Sequence, residues 1–153
     1  MTIEPCSRAN RESWARLRGR LWPELALTEH LEEISALLGR GGSAVAFLAR
    51  DGDGRAIGFA EATLRHDHVN GCETSPVAFL EGLYVVPGQR RQGVARRLCR
   101  AVEAWALEKG CREFASDAAI DNLPSRKTHL GLGFLETERV VYYRKRLPRF
   151  EGE

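Results

Sequence analysis

No C-x-x-C pair occurs in these 153 residues, and the four cysteines, Cys6, Cys72, Cys99 and Cys111, lie too far apart for a zinc knuckle or a redox dithiol. They read as reduced thiols. No apolar run approaches the roughly 18 residues that a membrane span needs, and the chain through Arg20 is polar where a signal peptide has an apolar centre. A soluble cytoplasmic protein with no membrane partner is expected. An excess of one charge is also missing: 23 Lys and Arg against 21 Asp and Glu leave +2, too little to make nucleic acid the default partner. Repeats, low-complexity tracts and long polar linkers are absent. The length and the 43% hydrophobic content suit one packed domain, 1–153, and one active site.

Asn10 is a suitable helix cap ahead of Trp14, Leu17 and Leu21 at helical spacing, and Trp22-Pro23 ends that pattern. A second helix is expected from Thr28 through Leu31, Ile34, Leu37 and Leu38 to Gly39, whose tolerance of positive φ suits a C-terminal cap. Two helices thus precede any strand. Residues 44–49 and 56–64, separated by Asp51-Gly52-Asp53-Gly54, read as a hairpin. The run 77–86 has the composition of a buried strand, is stopped by Pro87-Gly88 and is expected to be the central strand. Val94, Leu98, Val102 and Trp105 then mark an amphipathic helix closed by Lys109-Gly110. Residues 113–116 read as a short strand, 124–132 as a short helix and 134–147 as a final strand rich in β-branched and aromatic residues. The class is α/β, a mixed central sheet flanked by helices.

Arg90-Arg91-Gln92-Gly93-Val94-Ala95-Arg96 sits where the buried strand hands over to that helix. Amides at a helix start have no intrahelical acceptor and the helix dipole favours anions, so a diphosphate fits there, with arginines to neutralise it. Gly93 and Ala95 keep side chains out of the way. The segment has neither the G-x-x-x-x-G-K-[ST] pattern nor the three glycines of a dinucleotide fingerprint. It resembles instead the R-x-x-G-x-A loop of the GNAT acetyltransferase superfamily, whose amides hold the pyrophosphate of acetyl-coenzyme A. The element order resembles that superfamily too, over nearly the whole chain. So does Asn122, Ser125, His129, Gly133-Phe134, except that His129 stands where a tyrosine near the cofactor sulfur is usual.

Within the superfamily the chain is most similar to the aminoglycoside 6′-N-acetyltransferases. The resemblance is carried by Leu21-Trp22-Pro23, residues 65–72 (Arg-His-Asp-His-Val-Asn-Gly-Cys), Ser75-Pro76, Phe79-Leu80-Glu81-Gly82, Gly110-Cys111-Arg112-Glu113, Ala115-Ser116-Asp117, Glu136-Thr137-Glu138-Arg139-Val140 and Tyr143-Arg144-Lys145-Arg146. It implies that Trp22, His68, Glu81, Asp117 and Glu138 contact an aminoglycoside, that Asn122 joins residues 90–96 in holding acetyl-coenzyme A, and that the protein is a homodimer. The residues fit: a polycationic sugar needs clustered carboxylates even when net charge is ordinary. Each also has a plain reading. Glu81 in an apolar strand needs a salt-bridge partner or a cleft; Asp117 could cap a turn, Glu138 could be a cross-strand partner, and Trp22 could be core.

His66, Asp67 and His68 alternate on an extended segment with no further ligands, so no metal is expected. The basic group at Arg139 and 144–146 reads as a solvated edge strand. The resemblance implies direct transfer to a neutral amine, with main chain at Leu83, Tyr84 and Val85 holding the pantetheine arm and polarising the thioester. Glu81 acting through water is the first choice of base, and His129 or Tyr143 the donor to the thiolate. Two alternatives stay open: another small amine or protein amine as acceptor, or a noncatalytic coenzyme A-binding module.

Overall fold

Asp51 builds the tightest strand connection of the fold. Its carboxylate accepts the backbone N–H groups of Asp53 and Arg55 at 2.9 and 3.0 Å, and Gly54 at φ +82° completes the reversal. In the computed structural model, which describes residues 1–150, this turn joins β2 (Ala44–Arg50) to β3 (Ala56–Arg65). The remaining elements in chain order are β1 (Thr2–Pro5), α1 (Arg11–Leu21) and α2 (Leu27–Gly39) before the hairpin, then β4 (Val77–Val85), α3 (Val94–Glu108), β5 (Phe114–Ala115) and α4 (Leu123–Gly131). The sheet order is β1-β2-β3-β4-β5, antiparallel except for the β4–β5 pair. This is the mixed sheet expected for the α/β class.

Alternation along the strands splits the core into two layers. On one face Ile57, Ala60, Ala62, Leu80 and Val85 pack under Val94, Leu98, Val102 and Trp105 of α3. Gly58 lets α3 sit close, since a Cβ there would lie 2.8 Å from the Tyr84 carbonyl and 3.3 Å from both Val94 and Leu98. On the other face Trp14, Leu17 and Ile34 of α1 and α2 cover Ala46, Leu48 and Phe59. That second layer also holds charge. Glu61, 2% exposed, accepts from Trp14 Nε1 at 2.7 Å and lies 3.2 Å from Arg18 Nε, while Arg18 also reaches Glu33 of α2 at 2.5 Å. The network ties both helices to β3, and removing one partner of such a buried pair typically costs about 3–5 kcal/mol.

Several expectations are corrected. A strand precedes the helices: Thr2–Pro5 pairs with β2, but four residues at a sheet edge ending in proline carry too little alternation to be read. Gly39 lies inside α2, and the positive φ of +60° belongs to Gly41. Asn10 holds the N-cap position of α1 as expected, but its side chain makes no capping bond and instead accepts from Ser7 N and donates to the Pro5 carbonyl. The strand 77–86 is next to the β5 edge rather than central, because β1 adds a strand on the far side. The final strand over 134–147 does not form. Residues 135–150 carry no ladder, and Leu135, Tyr142, Tyr143 and Phe150 are 83–91% exposed. With β5 only two residues long, that edge offers little backbone to extend.

Burial pushes the Glu61 carboxyl up to about 7, with Arg18 and the Trp14 N–H acting against it. A folded-state value above the roughly 4.3 of an unfolded glutamate means that the native state holds a proton which the unfolded chain has released, so stability falls as pH rises between those values. Thermal midpoints measured from pH 4 to 8 should therefore drop more steeply for the wild type than for Glu61→Gln. Equal slopes would remove Glu61 from this role.

Candidate active site

Strand β4 is laddered to β3 along its whole length, from Val77–Arg65 to Val85–Gly58, but to β5 over only two rungs, Ala78–Phe114 and Phe79–Ala115. Beyond Phe79 the strands part. Main chain from Leu80 to Val85, including Leu83 and Tyr84, thus has an open side facing a wedge. An open backbone edge asks for hydrogen-bond partners, and an extended amide-bearing ligand supplies them.

The N-terminus of α3 lies past the end of β4. Arg91 at φ +63° and Gly93 at φ +82° turn the chain so that α3 starts at Val94, and no side chain caps it. The first-turn amides of Val94, Ala95 and Arg96 therefore remain available, while the Gly93 carbonyl already accepts from Arg97 N at 3.0 Å. A Cβ at Gly93 would meet nothing within 4 Å, so space lies beside the turn. Arg90 does not point freely at an anion: its Nε donates to the Val85 carbonyl at 2.8 Å, clamping the loop to β4. Arg96 similarly donates to the Gly131 carbonyl at the end of α4, at 2.9 Å. Arg91 and Gln92 are exposed. Open amides, a left-handed turn and local cations fit a diphosphate.

A bulge in β4 aims Glu81. Glu61 pairs with Gly82 and Ala62 with Leu80, leaving Glu81 as the extra residue. Its carboxylate accepts from Thr63 Oγ1 at 2.6 Å and from Arg65 at 3.1 and 3.4 Å, and the Arg65 guanidinium lies 3.5 Å over the Phe79 ring. Glu81 has both a partner and an open face. Trp22 lies against Gly82, where a Cβ would approach its ring to 2.5 Å, and meets Phe59 edge-on at 6.1 Å. The indole is half core and half rim.

Buried Val69 on Val77 and Phe79 anchors residues 66–76, and Glu113 accepts the amides of Glu73 and Thr74 at 2.9 and 2.7 Å. His68, next to Val69, is exposed beside this wall. Asp117 is exposed two residues past the last rung on β5, as Glu81 is on β4, so the two stand on opposite arms of the fork. Glu138 follows Thr137, which packs on Gly71 of the same loop, and is exposed. Of the five expected acceptor residues, Trp22 and Glu81 are thus held side by side along β4, through Gly82 and Thr63, while His68, Asp117 and Glu138 are exposed on neighbouring segments.

His129 on α4 lies 2.7 Å from Ser116 Oγ and is half-buried. Asn122 is the cap of α4, accepting from Ser125 N at 3.2 Å. Tyr143 is not brought into this cluster; it is 91% exposed in the tail. Sequence reasoning gave no role to Ser116, Thr63 or Arg65. For the last two a signal was present: Glu61, Thr63 and Arg65 alternate along an otherwise apolar strand, the mark of a polar stripe on one sheet face.

The family model described as Acetyltransferase (GNAT) family matches residues 9–134. Aminoglycoside N(6′)-acetyltransferase type 1 of Salmonella typhimurium is 48% identical over 146 residues, covering 95% of this chain and 99% of that one. Among solved structures, the apo aminoglycoside antibiotic 6′-N-acetyltransferase of Acinetobacter haemolyticus is 48% identical with a TM-score of 0.91, covering 97% of this chain and 100% of its own. A second, the AAC(6′)-Iy enzyme in complex with a bisubstrate analogue, CoA-S-monomethyl-acetylneamine, is 47% identical with a TM-score of 0.89, covering 95% of this chain and 98% of its own.

Proposed function

Since the chain belongs to the GNAT acetyltransferase family, we propose that it transfers the acetyl group of acetyl-coenzyme A to the 6′-amino group of aminoglycoside antibiotics, conferring resistance to them. The observation that carries the reading is the placement of two carboxylates where β4 and β5 stop pairing: Glu81 sits on the bulge two residues past the last rung of β4, and Asp117 two residues past it on the other arm. A relative of 47% identity was solved with one molecule that joins coenzyme A to an acetylated neamine, which supports two substrates meeting in one such cleft.

The α3 amides and Arg91 hold the pyrophosphate, and the main chain of Leu83, Tyr84 and Val85 holds the pantetheine arm, so the thioester lies toward Glu81. Asn122 holds the α4 side of the cofactor site through its cap. Trp22, His68, Asp117 and Glu138 position the cationic sugar. Much of the acceleration comes from this alignment, since the reaction needs no covalent enzyme intermediate. The ammonium must lose a proton before it can attack, and Glu81 takes it through water. Arg65 and the incoming ammonium compete for the same carboxylate, so acceptor binding exchanges one cation for another. His129 serves proton return to the sulfur.

The tail supports a homodimer. Val141, Tyr142, Tyr143, Leu147 and Phe150 are 72–91% exposed in a segment of strand-like composition, and a second copy is the partner that would cover them. Tyr143 then belongs to that contact or to the neighbouring site. A cytoplasmic location completes the proposal; among the described residues no helix is long and apolar enough to cross a membrane.

Purified protein with acetyl-coenzyme A and kanamycin should release free coenzyme A thiol, and aminoglycosides with a hydroxyl at the 6′ position should be poor acceptors. No turnover on kanamycin would overturn the acceptor, and equal turnover of the 6′-hydroxyl drugs the regiochemistry. Glu81→Gln should lower kcat by about 10²-fold, the usual worth of a general base, with coenzyme A affinity retained; an unchanged kcat would remove Glu81 as the base. Light scattering should give twice the chain mass for the full protein and one chain mass after deletion of residues 139–153. A monomeric full-length protein would contradict the dimer.

A further inference from the structure

The departing sulfur needs a proton, and His129 in the observed arrangement has none to give toward the fork. Its Nδ1 lies 2.7 Å from the carbonyl oxygen of Ser125. A carbonyl oxygen only accepts, so Nδ1 carries the ring proton and donates it. Nε2 is then the acceptor, and Ser116 O–H donates to it across 2.7 Å. The ring is held in place: Phe134 meets it edge-on at 5.3 Å and is itself packed at 5.0 Å on Phe114 of β5.

Ser116 is the first residue past the last β4–β5 rung, Phe79–Ala115. It therefore stands at the apex of the wedge whose β4 wall begins with Leu80 and Glu81. A ligand anchored at the α3 N-terminus and laid along Val85, Tyr84 and Leu83 ends at that apex. Resting on the acetyl transfer proposed above, we infer that Ser116 is the catalytic donor of a proton to the coenzyme A sulfur, with His129 as the positioning residue that resupplies it.

The atoms balance. As the amine nitrogen bonds to the acetyl carbon, the C–S bond breaks and its electron pair stays on sulfur. Sulfur takes the Ser116 hydroxyl proton while Ser116 Oγ takes the Nε2 proton of a His129 imidazolium. What remains is neutral His129, with Nδ1–H on the Ser125 carbonyl and Ser116 O–H turned to Nε2, which is the geometry in the structure. Solvent returns the next proton to the imidazole. The proton lost by the amine leaves separately, through Glu81.

Full-length Ser116→Ala, Ser116→Thr, His129→Gln and the Ser116→Ala/His129→Gln double variant test this in steady-state kinetics, with coenzyme A affinity, thermal midpoint and a proton inventory in mixed H2O and D2O read alongside. Ser116→Ala should lower kcat by about 10²-fold, in the range for a lost general acid, with coenzyme A affinity unchanged, and Ser116→Thr should restore most of it. The double variant should be no slower than the slower single, as for residues acting as one unit. The inventory should be bowed for the wild type, with two protons in flight, and straight for His129→Gln. Wild-type kcat in a folded Ser116→Ala, or losses that multiply in the double variant, would overturn the relay. So would acetylated Ser116 on incubation with acetyl-coenzyme A alone, which would make the serine a nucleophile. If the wild type acetylates another amine but not kanamycin, the acceptor reading falls while the same ratios on that amine decide the relay; a wild type inert toward every amine overturns both.

Discussion

Two rungs of parallel ladder, Ala78–Phe114 and Phe79–Ala115, are all that join β5 to the sheet, and the site follows from where they stop. Had the pairing continued, β5 would satisfy the backbone of Leu83 to Val85 and no edge would be left for a ligand. Because it ends, the chain carries an open strand edge that points from an amide-rich helix start to a carboxylate. An unpaired edge is ordinarily a liability. In the proposed function the covering strand is replaced by a substrate, and affinity for the pantetheine arm and its orientation would come from the same hydrogen bonds.

The two walls of the wedge are tuned by different means. On β4, the bulge at Glu81 turns a carboxylate out of the ladder, and Gly82 leaves room for Trp22 to lie against the strand beside it. Behind them, the buried network of Trp14, Arg18, Glu33 and Glu61 fixes α1 and α2, so the rim formed by Trp22 rests on charge pairs as well as apolar packing. On the β5 side, the Ser116–His129 pair and the Phe114–Phe134 contact tie α4 to the short strand, and Arg96 crosses from α3 to the end of α4. A wedge that must stay open is thus braced from both flanks.

Much of this was legible in order of residues. The period of Val94, Leu98, Val102 and Trp105 predicts α3 because one stripe must face the sheet, and Gly93 marks its start because the turn needs positive φ. The hairpin and β4 declared themselves through Asp51 and through an apolar run broken by Glu81. Other features depend on partners distant in sequence. β1 is four residues long and exists only because β2 lies beside it. The tail has the composition of a strand, yet strand formation needs an edge to pair with, which composition does not reveal. The candidate carboxylates could be named singly, but the guanidinium on Glu81 and the hydroxyl on His129 are tertiary contacts, visible beforehand only as polar residues in otherwise apolar or short segments.

The proposed function requires the edge of β4 and the start of α3 to form one continuous binding surface for coenzyme A. Amide hydrogen–deuterium exchange, with and without saturating coenzyme A, is the decisive measurement. Peptides containing Leu83 to Val85 and Val94 to Arg96 should be protected together. Protection confined to other segments, with the β4 edge exchanging as fast as in the free protein, would contradict it.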